Sequence, residues 1–109
     1  MHEFGIMQEM LTTVLQHADG RKVRRVVIEI GALACVVPEA MRFGFEACTP
    51  GTLAEGADLE IQHTTGRGRC RSCGTEFPLE TPMTFCAYDN KSIEWLSGRE
   101  LRMIEMEVD

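Results

Sequence analysis

The motif Cys70-Arg71-Ser72-Cys73-Gly74 constrains the fold of this chain more than any other feature. A CxxCG sequence is typical of a tight turn that points two thiolates at one metal ion, with the glycine relieving the backbone. A second turn of similar character, Cys86-Ala87-Tyr88-Asp89, has a carboxylate where a fourth cysteine would be expected. Two such turns at this separation indicate a structural zinc site.

The same CxxC pattern also occurs in redox pairs, which need a helix N-terminus or a cation to activate one thiol. Here Arg, Ser and Gly surround the thiols in a predicted loop that no helix follows, so the sequence favours zinc. We predict Cys70, Cys73, Cys86 and Asp89 as the ligands, because Asp89 occupies the i+3 position that the second turn presents to the metal. Water or Glu76 could supply the fourth ligand instead, and Asp89 could then serve only to cap a turn.

The segment around these cysteines, from Thr65 to about Ile93, is rich in Gly, Arg, Cys and Pro and shows little periodicity. We predict an irregular zinc loop, too short to bury a core of its own, so that metal binding must supply its folding free energy. Phe77 and Phe85 are expected to pack behind the two turns.

The N-terminus Met1-His2-Glu3 carries a second metal-binding pattern. The free amino group, the backbone nitrogen of residue 2 and the imidazole of His2 can close two fused chelate rings around one small cation. Nitrogen-rich, square-planar sites of this kind suit Ni(II) or Cu(II). Met1 should be retained, because the processing aminopeptidase prefers a small second residue. The alternative is that His2 is there by chance and that Glu3 only favours the first turn of a helix.

Apolar periodicity predicts an α+β domain in which two helices flank a small three-stranded sheet. The helices are expected at about 3–17 and 38–48, and the strands at 23–33, 57–64 and 100–108, where Ile104, Met106 and Val108 should point inward. Residues 1–64 would form a helix and sheet domain that binds nickel, 65–94 an inserted zinc-knuckle module, and 95–109 a strand that returns to the first sheet. Cys35 and Cys48 are predicted to be buried, and His63 to be a core imidazole or a nickel ligand.

Composition excludes several other classes of protein. A net charge of −6 over 109 residues argues against a nucleic-acid-binding module, although Arg67, Arg69 and Arg71 flank the first knuckle. No apolar run approaches the roughly 20 residues that span a bilayer. Five cysteines without a signal peptide indicate a reducing, cytoplasmic location. No enzyme motif such as HExxH or a Gly-rich phosphate loop is present, so we predict a protein that is not an enzyme.

Together the two metal patterns resemble one family, the HypA/HybF hydrogenase nickel-incorporation proteins. The resemblance covers nearly the whole chain; its segments are MHEFGIMQEML, VRRVVIEIGAL, PEAMRFGFEACTPGTLAEGADLEI, RCRSCGTEF and SGRELRMIEMEV. It implies a metallochaperone that carries Ni(II) as cargo at Met1, His2 and Glu3 and holds Zn(II) as a structural ion. The chain departs from the family at Cys86-Ala87-Tyr88-Asp89, where the usual motif is Cys-Pro-x-Cys.

The resemblance also implies partners, namely a GTPase nickel-insertion accessory protein and the hydrogenase large subunit. A homodimer is a further candidate assembly. The competing reading is a zinc-ribbon interaction or nucleic-acid-binding module without a nickel role, which would leave His2 unexplained.

Overall fold

The computed structural model describes residues 2–83 and 92–109 of the chain. These residues form two helices and six strands in an α+β arrangement. In chain order the elements are α1 (His2–Ala18), β1 (Val23–Gly31), α2 (Pro38–Cys48), β2 (Asp58–Thr64), β3 (Gly66–Cys70), β4 (Glu76–Leu79), β5 (Ile93–Ser97) and β6 (Leu101–Val108). They belong to two compact units, one of Met1–Glu29, Val36–Gln62 and Arg102–Asp109, the other of Ile30–Cys35 and His63–Leu101.

The first unit contains both helices and a three-stranded sheet with the order β2-β1-β6. Helix α1 is amphipathic, because its buried side chains recur every three or four residues along one stripe. Strand β1 is central, and three successive side chains in it are buried, so neither of its faces is left to solvent at this point. The buried apolar residues of these elements are Met7, Leu11, Val14, Ala18, Val23, Val26, Val27, Ile28, Met41, Phe45 and Leu59.

Ion pairs join half-buried residues of β1 to exposed residues of β6. The guanidinium of Arg25 contacts the carboxylates of Glu105 at 2.5 Å and Glu107 at 2.6 Å, and Arg102 reaches Glu29 at 2.6 Å. Because the partners of later β1 residues come earlier in β6, the two strands run antiparallel. Ile104 lies on the exposed side, 42% accessible, so the prediction that it points inward is wrong.

The second unit is built around an antiparallel sheet with the order β4-β3-β5. Its buried cluster consists of Leu33, Cys70, Leu79 and Ile93, with Phe77 and Trp95 packed against it. The prediction of an irregular loop without a core is therefore wrong for the described part of this segment. Phe77 packs against the cluster that contains Cys70 of the first turn, but the second turn lies outside the described residues, so the position of Phe77 behind both turns stays a prediction. Phe85 lies outside the described residues.

Two positions in this unit favour glycine, one because of packing and one because of its backbone conformation. A Cβ atom on Gly68 would lie 2.8 Å from Ile93 Cγ2 and 2.8 Å from Leu79 Cδ1, closer than van der Waals contact allows. Gly98 has a φ of 109°, a left-handed conformation that glycine adopts without steric cost.

The α+β prediction is confirmed. No helix in the part of the chain that the structure describes has the length and apolarity needed to cross a bilayer.

Candidate metal sites

Helix α1 begins at His2, so the predicted nickel triplet lies in its first turn. The first backbone N–H groups of an α-helix have no carbonyl partner one turn earlier. The backbone nitrogen of His2 is therefore not needed for the helical hydrogen-bond ladder. Its imidazole is largely exposed, with 62% of the side chain accessible. Met1, whose amino group the chelate requires, lies outside the described residues.

Glu3, in contrast, is buried, with a residue accessibility of 8%. Its Oε2 atom accepts a hydrogen bond from the backbone N–H of Val37 at 3.2 Å and lies 3.4 Å from His2 Nε2. The pKa of the Glu3 carboxyl is lowered from its ordinary value, chiefly by hydrogen bonds from its own backbone N–H and from Val37, with a smaller contribution from His2. Glu3 is therefore held as an anion beside the exposed imidazole.

The contact between Glu3 and Val37 was not foreseen from the sequence. Val37 is the N-cap residue of α2 and has no side chain that can cap the helix. In a capping box, a Glu or Gln at the third helical position accepts the N-cap N–H, but Ala40 occupies that position here. Glu3 replaces this acceptor from another helix. The only sign of this contact in the sequence is that neither Val37 nor Ala40 has a side chain that can cap α2.

The first cysteine motif forms a tight turn between β3 and β4. Cys70 N–H donates to Thr75 O at 2.9 Å, and Gly74 N–H donates to Cys70 O at 3.0 Å. Cys73 N–H also donates to Cys70 Sγ at 3.4 Å. Gly74 has a φ of 77°, as the turn requires.

This turn suits a metal because it prepares the Cys70 sulfur to carry negative charge. An N–H group directed at sulfur stabilises a thiolate more than a thiol. Cys70 is 1% accessible and Cys73 is exposed, so one sulfur lies in the core and the other faces outward.

Cys86 and Asp89, the other two predicted ligands, lie outside the described residues. Within residues 2–83 and 92–109, no three His, Cys, Asp or Glu side chains cluster as a metal site would require. Glu76, the alternative fourth ligand, lies 3.8 Å from Arg67 in an exposed ion pair. The complete ligand set remains a prediction.

Cys35, Cys48 and His63 differ from expectation. Cys35 is exposed, with a φ of 60°, so the prediction that it is a buried hydrophobe is wrong. Cys48 is half-buried and lines a groove beside α1 together with Phe4, Leu11 and Leu15. His63 is exposed, so it is not a core imidazole. In each case the local apolar pattern did not show which neighbouring elements would cover the side chain.

Comparison with known proteins places the chain in a family. Residues 1–108 match the family described as "Hydrogenase/urease nickel incorporation, metallochaperone, hypA". The chain belongs to the HypA family.

Curated HypA relatives match over the full length of this chain. Hydrogenase maturation factor HypA of Nostoc punctiforme is 46% identical over 109 residues, which are 100% of this chain and 96% of that protein. The factor of the same name from Geobacter sulfurreducens is 47% identical over 110 residues and is covered completely.

Solved HypA structures share the fold. The solution structure of the Ni metallochaperone HypA from Helicobacter pylori aligns with a TM-score of 0.66 at 20% identity, covering 97% of this chain and 96% of that one. A further solution structure of a HypA protein aligns with a TM-score of 0.67 at 22% identity, covering 98% and 95%. At such identities the likeness concerns the fold alone.

Proposed function

We propose that this HypA-family protein carries Ni(II) and delivers it to the large subunit of a nickel-iron hydrogenase during maturation. The amine of Met1, the backbone nitrogen of residue 2 and the imidazole of His2 bind the ion, and Glu3 belongs to the site through its contact with His2. A GTPase nickel-insertion accessory protein takes part in the transfer. The family match and the names of the curated relatives support this role.

One structural observation carries the nickel proposal, namely that α1 starts at His2. A chelate of this kind removes the proton from the residue-2 backbone nitrogen, which would break a hydrogen bond at any interior helical position. At the first helical residue that N–H has no intrahelical acceptor, so the helix loses nothing. The exposed imidazole lets an acceptor protein reach the ion and remove it.

We also propose Cys70, Cys73, Cys86 and Asp89 as the ligands of a structural zinc ion. Three thiolates and one carboxylate carry the same formal charge as four thiolates, and zinc accepts carboxylate oxygen at about 2.0–2.2 Å. The N–H bond to Cys70 Sγ and the burial of that sulfur support the first pair. Thiolate ligands persist in a reducing compartment, so we place the protein in the cytoplasm.

The competing zinc-ribbon, nucleic-acid-binding function would use the arginines beside the first knuckle. Arg69 contacts Glu94 at 2.7 Å, and Arg67 lies 3.8 Å from Glu76, so each shares its charge with a carboxylate. Binding to phosphates would need these arginines unpaired and a basic surface around them. The ion pairs therefore favour the metallochaperone, a role without catalysis.

The test is a nickel titration of the tag-free protein, of His2→Ala and of a variant extended by four residues before Met1, which moves the amine out of reach of a metal on the imidazole. Both changes should abolish tight nickel binding, because each removes one nitrogen of the chelate, while zinc content and the far-ultraviolet circular dichroism stay the same. Equal nickel affinity in the extended protein would rule out the amine ligand.

A further inference from the structure

The Glu3 side chain contacts groups from two helices at once. Its Oε2 atom lies 3.2 Å from the Val37 backbone nitrogen, at the start of α2, and 3.4 Å from His2 Nε2, at the start of α1. The carboxylate is buried although the imidazole beside it is exposed. A buried carboxylate with a fixed donor on one side offers a rigid acceptor to an exposed ring on the other.

The chelate itself determines which nitrogen of His2 is available to Glu3. A ring that includes nickel, the residue-2 backbone nitrogen and the imidazole closes through Cα, Cβ, Cγ and Nδ1. Nε2 is on the far side of the imidazole and cannot close that ring. Nickel therefore takes Nδ1, and Nε2 keeps its proton. Nε2 is the atom that faces Glu3 in this structure.

Building on the nickel chelate proposed above, we propose that Glu3 is a positioning residue for the cargo and not a side-chain ligand. Its Oε2 accepts the Nε2–H of His2, which turns Nδ1 toward nickel, and the Val37 N–H fixes the carboxylate in that place. An oxygen beside Nε2 lies at the opposite end of the imidazole from a metal on Nδ1. Metal-binding histidines gain orientation and a fixed tautomer from a carboxylate in this way.

Two substitutions of Glu3 distinguish the effect of side-chain length from the effect of charge. Glu3→Gln removes the charge but keeps an oxygen at the same distance from the helix. Glu3→Asp keeps the charge but shortens the side chain, so that it no longer reaches both partners. Nickel affinity should stay close to that of the parent in Glu3→Gln and fall by about tenfold or more in Glu3→Asp, the cost typical of a lost outer-shell contact. Glu9→Gln, at an exposed position of the same helix, is the control.

Spectroscopy distinguishes positioning from ligation. The visible absorption and circular dichroism of the nickel complex should be the same in the parent and both variants, because the nitrogen ligands are unchanged. In the metal-free protein, the ¹⁵N shifts of the His2 ring should report a protonated Nε2 in the parent and a mixture of tautomers in Glu3→Asp. Far-ultraviolet circular dichroism checks that each variant is folded.

Three results would overturn the proposal. A changed nickel spectrum in Glu3→Gln would make the carboxylate a ligand. Weak binding by Glu3→Gln with normal binding by Glu3→Asp would make its effect purely one of charge. Unchanged affinity and ring shifts in both would remove any positioning role. Nickel binding that survives His2→Ala is a different failure, because it contradicts the chelate itself.

Discussion

At the scale of single residues, Glu3 shows how a helix start can hold a carboxylate in its charged form. The residue lies in the first turn of α1 and accepts the N-cap N–H of α2, so two helix N-termini favour its negative charge. Its own N–H and that of Val37 are the main reasons that the pKa of its carboxyl is lowered from 4.5. A carboxylate that is more acidic in the folded protein than in the unfolded chain links stability to pH.

The sign of this linkage gives a prediction. The unfolded chain takes up the proton first as pH falls, so the stabilisation is fully present above the unfolded pKa, near 4.5, and is lost as pH falls through the lowered folded pKa. The metal-free parent should therefore unfold at a higher temperature than Glu3→Gln at pH 7, and the gap should close in acid. Thermal unfolding from pH 7 to pH 3 measures this, with Glu9→Gln as the control for a lost charge. A gap that stays constant in acid would contradict it.

At the scale of elements, the two helices and the three strands of the first sheet, β1, β2 and β6, follow from apolar periodicity, but β3 does not. The helix expected at 38–48 is α2, Pro38–Cys48, and the one expected at 3–17 is α1, His2–Ala18. The residues of strand β3 alternate regularly between buried and more exposed positions. Gly66, Gly68 and Cys70 are buried, and Arg67 is exposed. Two of the three inward residues are glycines, so the alternation carries little hydrophobic signal. The apolar atoms that cover them come from residues distant in sequence.

This packing predicts opposite effects of one substitution at two glycines. Gly68→Ala should destabilise the protein by about 1–3 kcal/mol, because its Cβ would overlap Ile93 and Leu79 in a closed core. Gly5→Ala should stabilise it by about 0.5–1 kcal/mol, because Gly5 lies within α1 with no heavy atom within 4 Å of the added Cβ. Urea unfolding of the zinc-loaded proteins measures both. A destabilised Gly5→Ala or an unaffected Gly68→Ala would show that the packing around these sites is wrong.

At the scale of the whole molecule, the sequence indicates the two proposed metal sites to different extents. The nickel triplet is contiguous, so its chemistry can be recognised without a fold. The support for Glu3 could not be predicted, because Val37 is 34 positions away and contributes only a backbone N–H. For zinc, the CxxCG turn is local and is observed, whereas a ligand set split between two turns depends on how the intervening chain folds.

The two units also differ in the size of their apolar cores. This difference predicts how each unit responds to loss of zinc. The unit with α1, α2 and β1 has an extensive apolar core, whereas the buried cluster in the described part of the other unit consists of four residues. A core of that size is marginal without a metal. Chelation of zinc should abolish amide-exchange protection at 67–79 and 92–97 while protection at 7–14 and 23–29 persists, as mass spectrometry of exchanged peptides would show.

Variants of the proposed zinc ligands test this last prediction further. Cys73→Ser should reproduce the chelated pattern, whereas Cys35→Ser, which changes an exposed thiol elsewhere in the same unit, should keep one zinc per chain and normal protection.

Asp89→Cys should resist the chelator for longer than the parent, because a thiolate binds zinc more strongly than a carboxylate oxygen, and Asp89→Ala should lose zinc more readily. Equal zinc retention by Asp89→Ala and the parent would assign the fourth position to water or Glu76. Loss of protection along the whole chain on chelation would instead show that the two units fold as one.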